Sequence, residues 1–425
     1  MASSPPNHFL IVGAGAAGLM TARELARAGK KVTILEARDR CGGRIYPLSA
    51  QEVGYAAEGG AEFVHGVAPV TRALTREAGL SLIPIEGARW SARKGTFSPQ
   101  ESQLPHETVL RRALIELKTD LPVTEFLRTH FADRQYTELR EVVRRRVEGY
   151  DAADPDRAST FAFRGEWIGR GRQGRIAGGY GALIKFLVSE CCRQGATIHL
   201  FSVVTAIEES RGRIAAYCDD GAIYEADAAI LTVPLPILRD ISLPHGVHEK
   251  VTASTDIGFG NVVKILLRFS TKWWTNCGGR DLSDLSFLVT NATVPVWWTQ
   301  HPAEYPVLTG WFAGPKADTV ARRTVSELVN MGLDSLTEIF NLPLHSITRD
   351  LITSQAINWG IDAFARGAYS YATPKTREAQ TVLRKSDAGA VFFSGEALYA
   401  GRDVGTVEAA LANGTQTAQA ILAAG

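Results

Sequence analysis

The chain is short of cysteine, of unbalanced charge and of long apolar runs, and each shortage removes a class of function. Five cysteines in 425 residues form neither a C-x-x-C pair nor a metal-ligand pattern. That argues against a dithiol–disulfide reductase and against a bound metal. Cys191 and Cys192 are adjacent on a predicted helix and read as reduced packing thiols of a cytoplasmic protein. With 46 basic against 45 acidic residues, no net field favours nucleic acid or an anionic membrane as partner. No uninterrupted apolar segment is long enough to span a bilayer. Residues 1–8, MASSPPNH, have neither the basic nor the apolar region of a signal peptide. What remains is a chain long enough to bury a large core, most simply in two domains.

The most informative stretch runs from Phe9 to Arg44. A buried apolar run, Phe9–Val12, reads as a parallel strand. Gly13, Gly15 and Gly18 follow in G-x-G-x-x-G spacing, with Ala17 inside the motif, and a helical pattern continues through Leu25 and Ala28. A second apolar run, Val32–Leu35, ends on Glu36. This order predicts one βαβ unit. Gly13 permits the tight turn, Gly15 keeps side-chain atoms away from a pyrophosphate, and Gly18 lets helix and strand pack closely. Glu36 stands where a carboxylate takes a ribose hydroxyl, and an acid there disfavours a 2′-phosphate. FAD and NAD both fit, and the fingerprint does not choose between them.

Further along, Ala37-Arg38-Asp39-Arg40-Cys41-Gly42-Gly43-Arg44 puts two glycines before an arginine suited to phosphate. Glu58-Gly59-Gly60-Ala61-Glu62-Phe63-Val64-His65-Gly66 is a second glycine-dense turn, carrying an acid and a histidine. Residues 105–150 predict helix, with Leu110, Leu114, Leu117 and Leu121 on one face and Arg144-Arg145-Arg146 on a solvated one. Asp151–Ser159 reads as a polar crossing between domains. Residues 178–181 open another helix, and strands are predicted over Thr197–Leu200, Val203–Ile207, Arg213–Tyr217 and Ala228–Val233. Ile198, Leu200 and Val204 suit strands that rejoin the first sheet. Lys264 sits in a β-branched and aliphatic run, where an ammonium is costly unless hydrogen-bonded. It either snorkels at a sheet edge or works in a site. Aromatics gather at Trp273-Trp274, Trp297-Trp298, Trp311-Phe312, Trp359, Phe364, Tyr369 and Tyr371, a density suited to an apolar pocket. A last strand, Ala390–Phe393, leads to Gly395 and Glu396. The loop Gly401–Asp403 follows, and Gly405-Thr406-Val407 opens the final helix.

Taken together, GAGAAGL, LEARDRCGGR, GGAEFVHG, ILTVPLPIL, GFGNVVKILLRF, FARGAYSY and FSGEA with GTVEAALANG resemble the flavin-containing amine oxidase family over nearly the whole chain. That family includes monoamine and polyamine oxidases, flavin-type histone lysine demethylases and L-amino-acid oxidases. The resemblance implies an α/β fold, with a Rossmann-like FAD-binding domain of GR2 type (1–80, 175–265 and 385–425). A discontinuous substrate domain of mixed sheet and helices would take 81–174 and 266–384. It implies FAD bound through Gly13, Gly15, Ala17, Gly18, Ala37, Arg38, Gly43, Gly60, Ala61, Glu62 and Gly395. Glu36 would hold the adenosine ribose, Arg44 would lie near the phosphates, and Glu396 near the ribityl–phosphate region. The backbone of Val204 would hold adenine, and Gly405, Thr406 and Val407 would face the isoalloxazine. By the same resemblance Lys264 holds a water against flavin N5, Trp359 flanks the ring, and Tyr369 forms one aromatic wall. Glu62, His65, Phe364 and Thr406 become candidate substrate contacts. Ala368 stands where monoamine oxidases carry the flavin-linking cysteine, so the FAD is expected to be non-covalent. The long helical insertion of the demethylases is missing, which argues against a chromatin role.

The expected activity is oxidation of a primary or secondary amine to an imine, with O₂ reduced to H₂O₂. Alternatives are an L-amino-acid oxidase using Arg89, Arg164 or Arg366 for the carboxylate, a flavin-dependent C–C desaturase, and a non-catalytic flavin-binding module. An NAD-dependent dehydrogenase is disfavoured by the C-terminal strand–loop–helix. The expected partners are a small amine and O₂, with a homodimer possible and no membrane insertion.

Overall fold

The protein is described from a computed structural model over residues 6–99, 104–168, 173–277, 279–385, 390–402 and 404–424. Residues 1–5 and Asp403 of the two expectations above therefore lie outside the described residues.

Strand His8–Val12 is followed by helix Ala16–Arg27 and strand Lys31–Leu35, the βαβ unit that the glycine spacing dictates. The two strands pair in parallel, and Thr197–His199, Ala228–Leu231 and Val391–Phe393 complete a five-stranded parallel sheet. Each central strand is buried along nearly its whole length, as strands covered on both faces must be. One face packs on helices Ala16–Arg27, Tyr180–Arg193 and Val407–Ala424. The other packs on a small antiparallel sheet, Val204–Ser210, Arg213–Cys218 and Ile223–Ala226. Of the three residues expected to rejoin the parallel sheet, only Ile198 does. Val204 lies in the antiparallel sheet and Leu200 is exposed beyond its strand.

A second sheet has seven strands, in the order Leu351–Asn358, Val262–Phe269, Val307–Ala313, Val296–Trp298, Leu285–Thr290, Ala88–Arg93 and Thr96–Pro99. Helix Val325–Phe340 covers its apolar face, started by a capping box between Thr324 and Glu327. Strand Val262–Phe269 lies whole within this sheet. The expected boundary between 265 and 266 therefore cuts one uninterrupted strand.

The helical stretch breaks into Glu107–Glu116, Val123–His130, Thr137–Tyr150 and Thr160–Ile168 around one apolar cluster. Leu110 and Leu114 are buried helix residues, whereas Leu117 and Leu121 fall in the connection that Pro122 imposes. Residues 151–159, expected as a crossing between domains, join two helices of this cluster. Of the three arginines, Arg144 alone is exposed, while Arg146 lies over the rings of Tyr150 and Trp167. None of the described helices is long and apolar enough to cross a membrane.

Candidate active site

A cavity of about 1420 Å³ runs from the first βα turn to the aromatic face of the seven-stranded sheet. That is larger than a site for one small ligand requires, and its two ends differ in chemistry.

At the first end the walls are mostly backbone. Gly13, Gly15, Ala17, Glu36, Ala37, Arg38, Gly43 and Val204 line it. Helix Ala16–Arg27 begins at Gly15 with no side-chain cap, so its first N–H groups face the cavity unclaimed by side chains. A Cβ built on Gly15 meets nothing within 4 Å, whereas one on Gly18 would lie 2.0 Å from the Gly13 carbonyl. Gly15 thus leaves room for a ligand, and Gly18 lets the helix pack on the strand. The buried Glu36 carboxylate accepts from the N–H of Ala14 at 2.7 Å and of Arg38 at 3.0 Å. This cradle fits a dinucleotide, with backbone donors for the phosphates and a fixed carboxylate for a ribose. Phe364 belongs here too. Its ring lies under the Arg38 guanidinium, 5.4 Å from the centroid, and Arg38 is paired with Asp362. Phe364, expected as a substrate contact, therefore lines the cavity beside Arg38 of the nucleotide end.

Midway, three distant segments are tied by one carboxylate. Glu396 accepts from Arg44 at 2.8 Å, from the Ser370 N–H and hydroxyl, and from the Gly405 N–H at 3.1 Å. Arg44 also donates to the Ala368 carbonyl. Thr406 lines the cavity, and its hydroxyl accepts from the Ala409 N–H, capping the last helix. The neighbouring Glu408 is turned away from the cavity, where it accepts from the Val70 and Thr71 N–H groups at the start of another helix.

At the far end Lys264, Trp359, Tyr369 and His65 come together on the cavity wall. Lys264 is 1 % exposed on an interior strand, so snorkelling at an edge is ruled out. Its ammonium donates to the Glu58 carbonyl (2.6 Å), the Gly60 carbonyl (3.3 Å) and Glu62 Oε2 (2.7 Å). The Glu62 carboxylate also takes Arg175 Nε (2.9 Å), Trp298 Nε1 (3.1 Å) and Gln300 Nε2 (3.0 Å). Burial alone would raise the Glu62 carboxyl, but Lys264 and Arg175 outweigh it and hold the group down to about 2. Glu62, expected as a substrate contact, is thus the ion-pair partner of Lys264.

The Trp359 indole donates to the Gly59 carbonyl, and the Tyr369 hydroxyl donates to the Tyr150 carbonyl at 2.8 Å. Burial raises the Tyr369 phenol well above its usual range, so it stays protonated. His65 Nδ1 is 3.1 Å from the Tyr150 hydroxyl and 2.9 Å from Gln173 Nε2. Burial lowers its pKa to about 4, leaving a neutral ring at pH 7. Asp151 and Glu166 line this end as a hydrogen-bonded carboxyl pair beside Arg146, with Asp151 pushed upward by burial. Of the three candidate arginines only Arg89 lines the cavity, over Phe287. Arg164 donates to carbonyls of the helical cluster, and Arg366 pairs with Asp240.

Sequence reasoning had no signal for Arg175, Gln173, Gln300 or Tyr150, which arrive from separate segments. Trp298 did carry one. On a strand, adjacent Trp297 and Trp298 must face opposite sides, one into the core and one into the cavity.

The family model for "Flavin containing amine oxidoreductase" matches residues 16–422. The chain belongs to the flavin-containing amine oxidoreductases. Like other members of this family it is a flavin-dependent enzyme, and the glycine cradle and Glu36 suit FAD. It is 30% identical to polyamine oxidase 5 of Oryza sativa subsp. japonica over 87% of this chain and 78% of that one. With polyamine oxidase 4 of the same source it shares 27% identity over 87% and 79%. Among solved structures, a redesigned putrescine oxidase superposes with a TM-score of 0.80 at 20% identity, covering 99% of both chains. The cyclohexylamine oxidase of Brevibacterium oxydans gives 0.79 at 19%, again over 99% of both. These structural likenesses show the shared fold.

Proposed function

We propose that this flavin-dependent amine oxidoreductase acts on an amine bearing a second cationic nitrogen, a diamine or polyamine, and holds its FAD non-covalently. The observation that carries the substrate class is the Asp151–Glu166 pair at the same end of the cavity as Tyr369. The polyamine oxidases among its relatives support it. A carboxyl that burial pushes upward gains most when a cation arrives, because the cation favours its ionised form.

When bound, FAD supplies the two-electron acceptor for the C–H bond next to the amine nitrogen, and O₂ then takes the electrons to give H₂O₂. Trp359 and Tyr369 offer the reacting amine apolar walls that exclude water. Such walls favour the neutral amine, whose lone pair assists C–H cleavage, over its cation. The second ammonium, one alkyl spacer away, meets Asp151 and Glu166 and fixes which carbon reaches the ring. Neutral His65 adds no competing charge. Lys264, held beside the Gly60 turn by three acceptors, is the group assigned to the oxygen or imine-hydrolysis step. Ala368 in place of a linking cysteine supports non-covalent FAD. The five unpaired thiols suit a reducing, cytoplasmic setting.

The test is anaerobic. Monoamines, diamines, polyamines and L-amino acids are added separately to the holoprotein, and loss of the flavin band is timed. Bleaching by diamines or polyamines, reversed by air with release of peroxide, is the expected result. Asp151→Asn should then raise KM for a diamine about 10- to 100-fold, as expected for loss of a charge-assisted contact, with little change for a monoamine. An equal effect on both would sink the second-nitrogen reading. Arg89 on the cavity wall favours a second reading, an amino-acid substrate. Bleaching by L-amino acids alone, abolished in Arg89→Ala, would establish it.

A further inference from the structure

A buried ammonium on an interior strand needs fixed partners, and Lys264 takes them from a turn some two hundred positions earlier in the chain. An ammonium has three N–H donors. Those of Lys264 point to three acceptors, all on residues 58–62: the carbonyls of Glu58 and Gly60 and the carboxylate of Glu62. The carboxylate is itself pinned from two further strands and a loop. Arg175 lies on the strand Gly174–Ile176, Trp298 ends its own strand, and Gln300 follows it. Arg175 is fixed in turn by the Thr299 carbonyl and by the Phe63 ring, 4.8 Å away. Trp298 also lies under the Lys264 ammonium at 5.4 Å. Lys264, Glu62, Arg175 and Trp298 are therefore each held by at least two partners, the kind of support that keeps a functional side chain within a fraction of an ångström.

We propose that Glu62 is the positioning residue of this site. It clamps Lys264 onto the Glu58–Gly60 turn and leaves one uncompensated positive charge there, where Lys264 and Arg175 alone would leave two. The proposal rests on the reading above that the flavin ring lies against Lys264, Trp359 and Tyr369. Breaking a buried pair by removing one partner is costly because the other charge stays behind. The loss of Glu62 should therefore be felt at Lys264 first. The other titratable groups facing the pair are the Glu58 carboxyl, which accepts from the Gly181 N–H, the Tyr55 phenol and Arg175. All three remain in the variants below, so a difference between profiles reports Glu62.

The experiment uses holoenzyme reduced by light rather than by an amine, then mixed with O₂ across pH 6–10. Glu62→Gln should bind FAD and reoxidise at least tenfold more slowly, with its pH profile displaced from that of the wild type. Glu62→Asp, which keeps the charge one methylene back, should lie between them. In a Lys264→Met background, adding Glu62→Gln should change the rate less than twofold, since the group it positions is gone. Wild-type rates and profile in Glu62→Gln, or effects of the two substitutions that simply multiply, would overturn the proposal. If Glu62→Gln fails to take up FAD, wild-type behaviour of Glu62→Asp overturns it instead. Because reduction needs no substrate, a holoenzyme that no amine bleaches but in which Glu62→Gln slows reoxidation would sink the amine reading and leave this one standing.

Discussion

The two ends of the cavity are built by opposite means. The nucleotide end is a backbone surface: one helix start, glycines with no side chain in the way, and Glu36 held by two N–H groups within one βαβ unit. The far end is a side-chain surface in which Lys264, Glu62, Arg175, Trp298, Gln300, Tyr369 and Trp359 arrive from widely separated segments. A backbone surface is insensitive to most substitutions and intolerant of a Cβ where chain meets chain. A side-chain surface tolerates backbone adjustment but depends on every partner being present.

That difference predicts two unlike failures within three residues. In Gly18→Ala the new Cβ meets the Gly13 carbonyl at 2.0 Å and the Thr232 hydroxyl at 2.8 Å. Backbone cannot swing aside, so the apoprotein should lose about 3 kcal/mol or more, with FAD binding lost alongside. Gly15→Leu meets no protein atom near its Cβ. Its apoprotein should melt within a degree or two of the wild type, yet bind FAD about 100-fold more weakly. Calorimetry of the apoproteins and flavin titration separate the two. Equal destabilisation of both would mean that Gly15 is a packing glycine and that the cradle reading is wrong.

The same contrast explains what the sequence disclosed. The nucleotide end was legible because its physics is local: Gly13, Gly15, Gly18 and Glu36 lie within one supersecondary unit whose spacing fixes their geometry. Lys264 was legible only as an anomaly, a charge in an apolar strand, and family resemblance was needed to give it a role. Its partner Glu62 was read as a substrate contact from the family resemblance, and nothing near it in sequence hints at Arg175 or Gln300. Phe364 was hard to place for a related reason. Its aromatic neighbours line the far end, but the Arg38–Asp362 pair pulls its loop to the other. The strand boundaries of the seven-stranded sheet were illegible because strand pairing there is mostly non-local, joining Ala88–Arg93 to Leu285–Thr290.

Two carboxyls four residues apart sharpen the comparison through pH. Glu62, with a folded pKa of about 2 against 4.5 for the free group, adds stability that is present above pH 4.5 and lost as pH falls toward 2. Glu58 has the opposite sign. Burial pushes it up to about 7, against the Gly181 hydrogen bond and Lys264, so stability falls as pH rises from 4.5 to 7. Glu58→Gln keeps an oxygen for Gly181 and removes the ionisation. Its stability should decline less than the wild type's between pH 5 and 7, by an amount on the order of 2 kcal/mol. Parallel curves for the two proteins, from denaturant melts at each pH, would show that Glu58 titrates normally.

Thr406 stands where the two kinds of surface meet, and the smallest effect is expected there. It lines the cavity, yet its hydroxyl accepts from the Ala409 N–H at 3.1 Å and so caps the final helix, Val407–Ala424. If the cap is its main duty, Thr406→Ala should cost about 1 kcal/mol, while Thr406→Ser keeps the hydroxyl and costs a few tenths. Both should leave KM for the amine within about twofold, because a capping hydroxyl turned to the backbone is not available to substrate. If it is a wall of the amine site instead, Thr406→Ser should disturb KM through the missing methyl while leaving the melting temperature alone. The two readouts move in opposite senses under the two readings, so one pair of variants decides whether Thr406 belongs with the backbone surface or with the side-chain one.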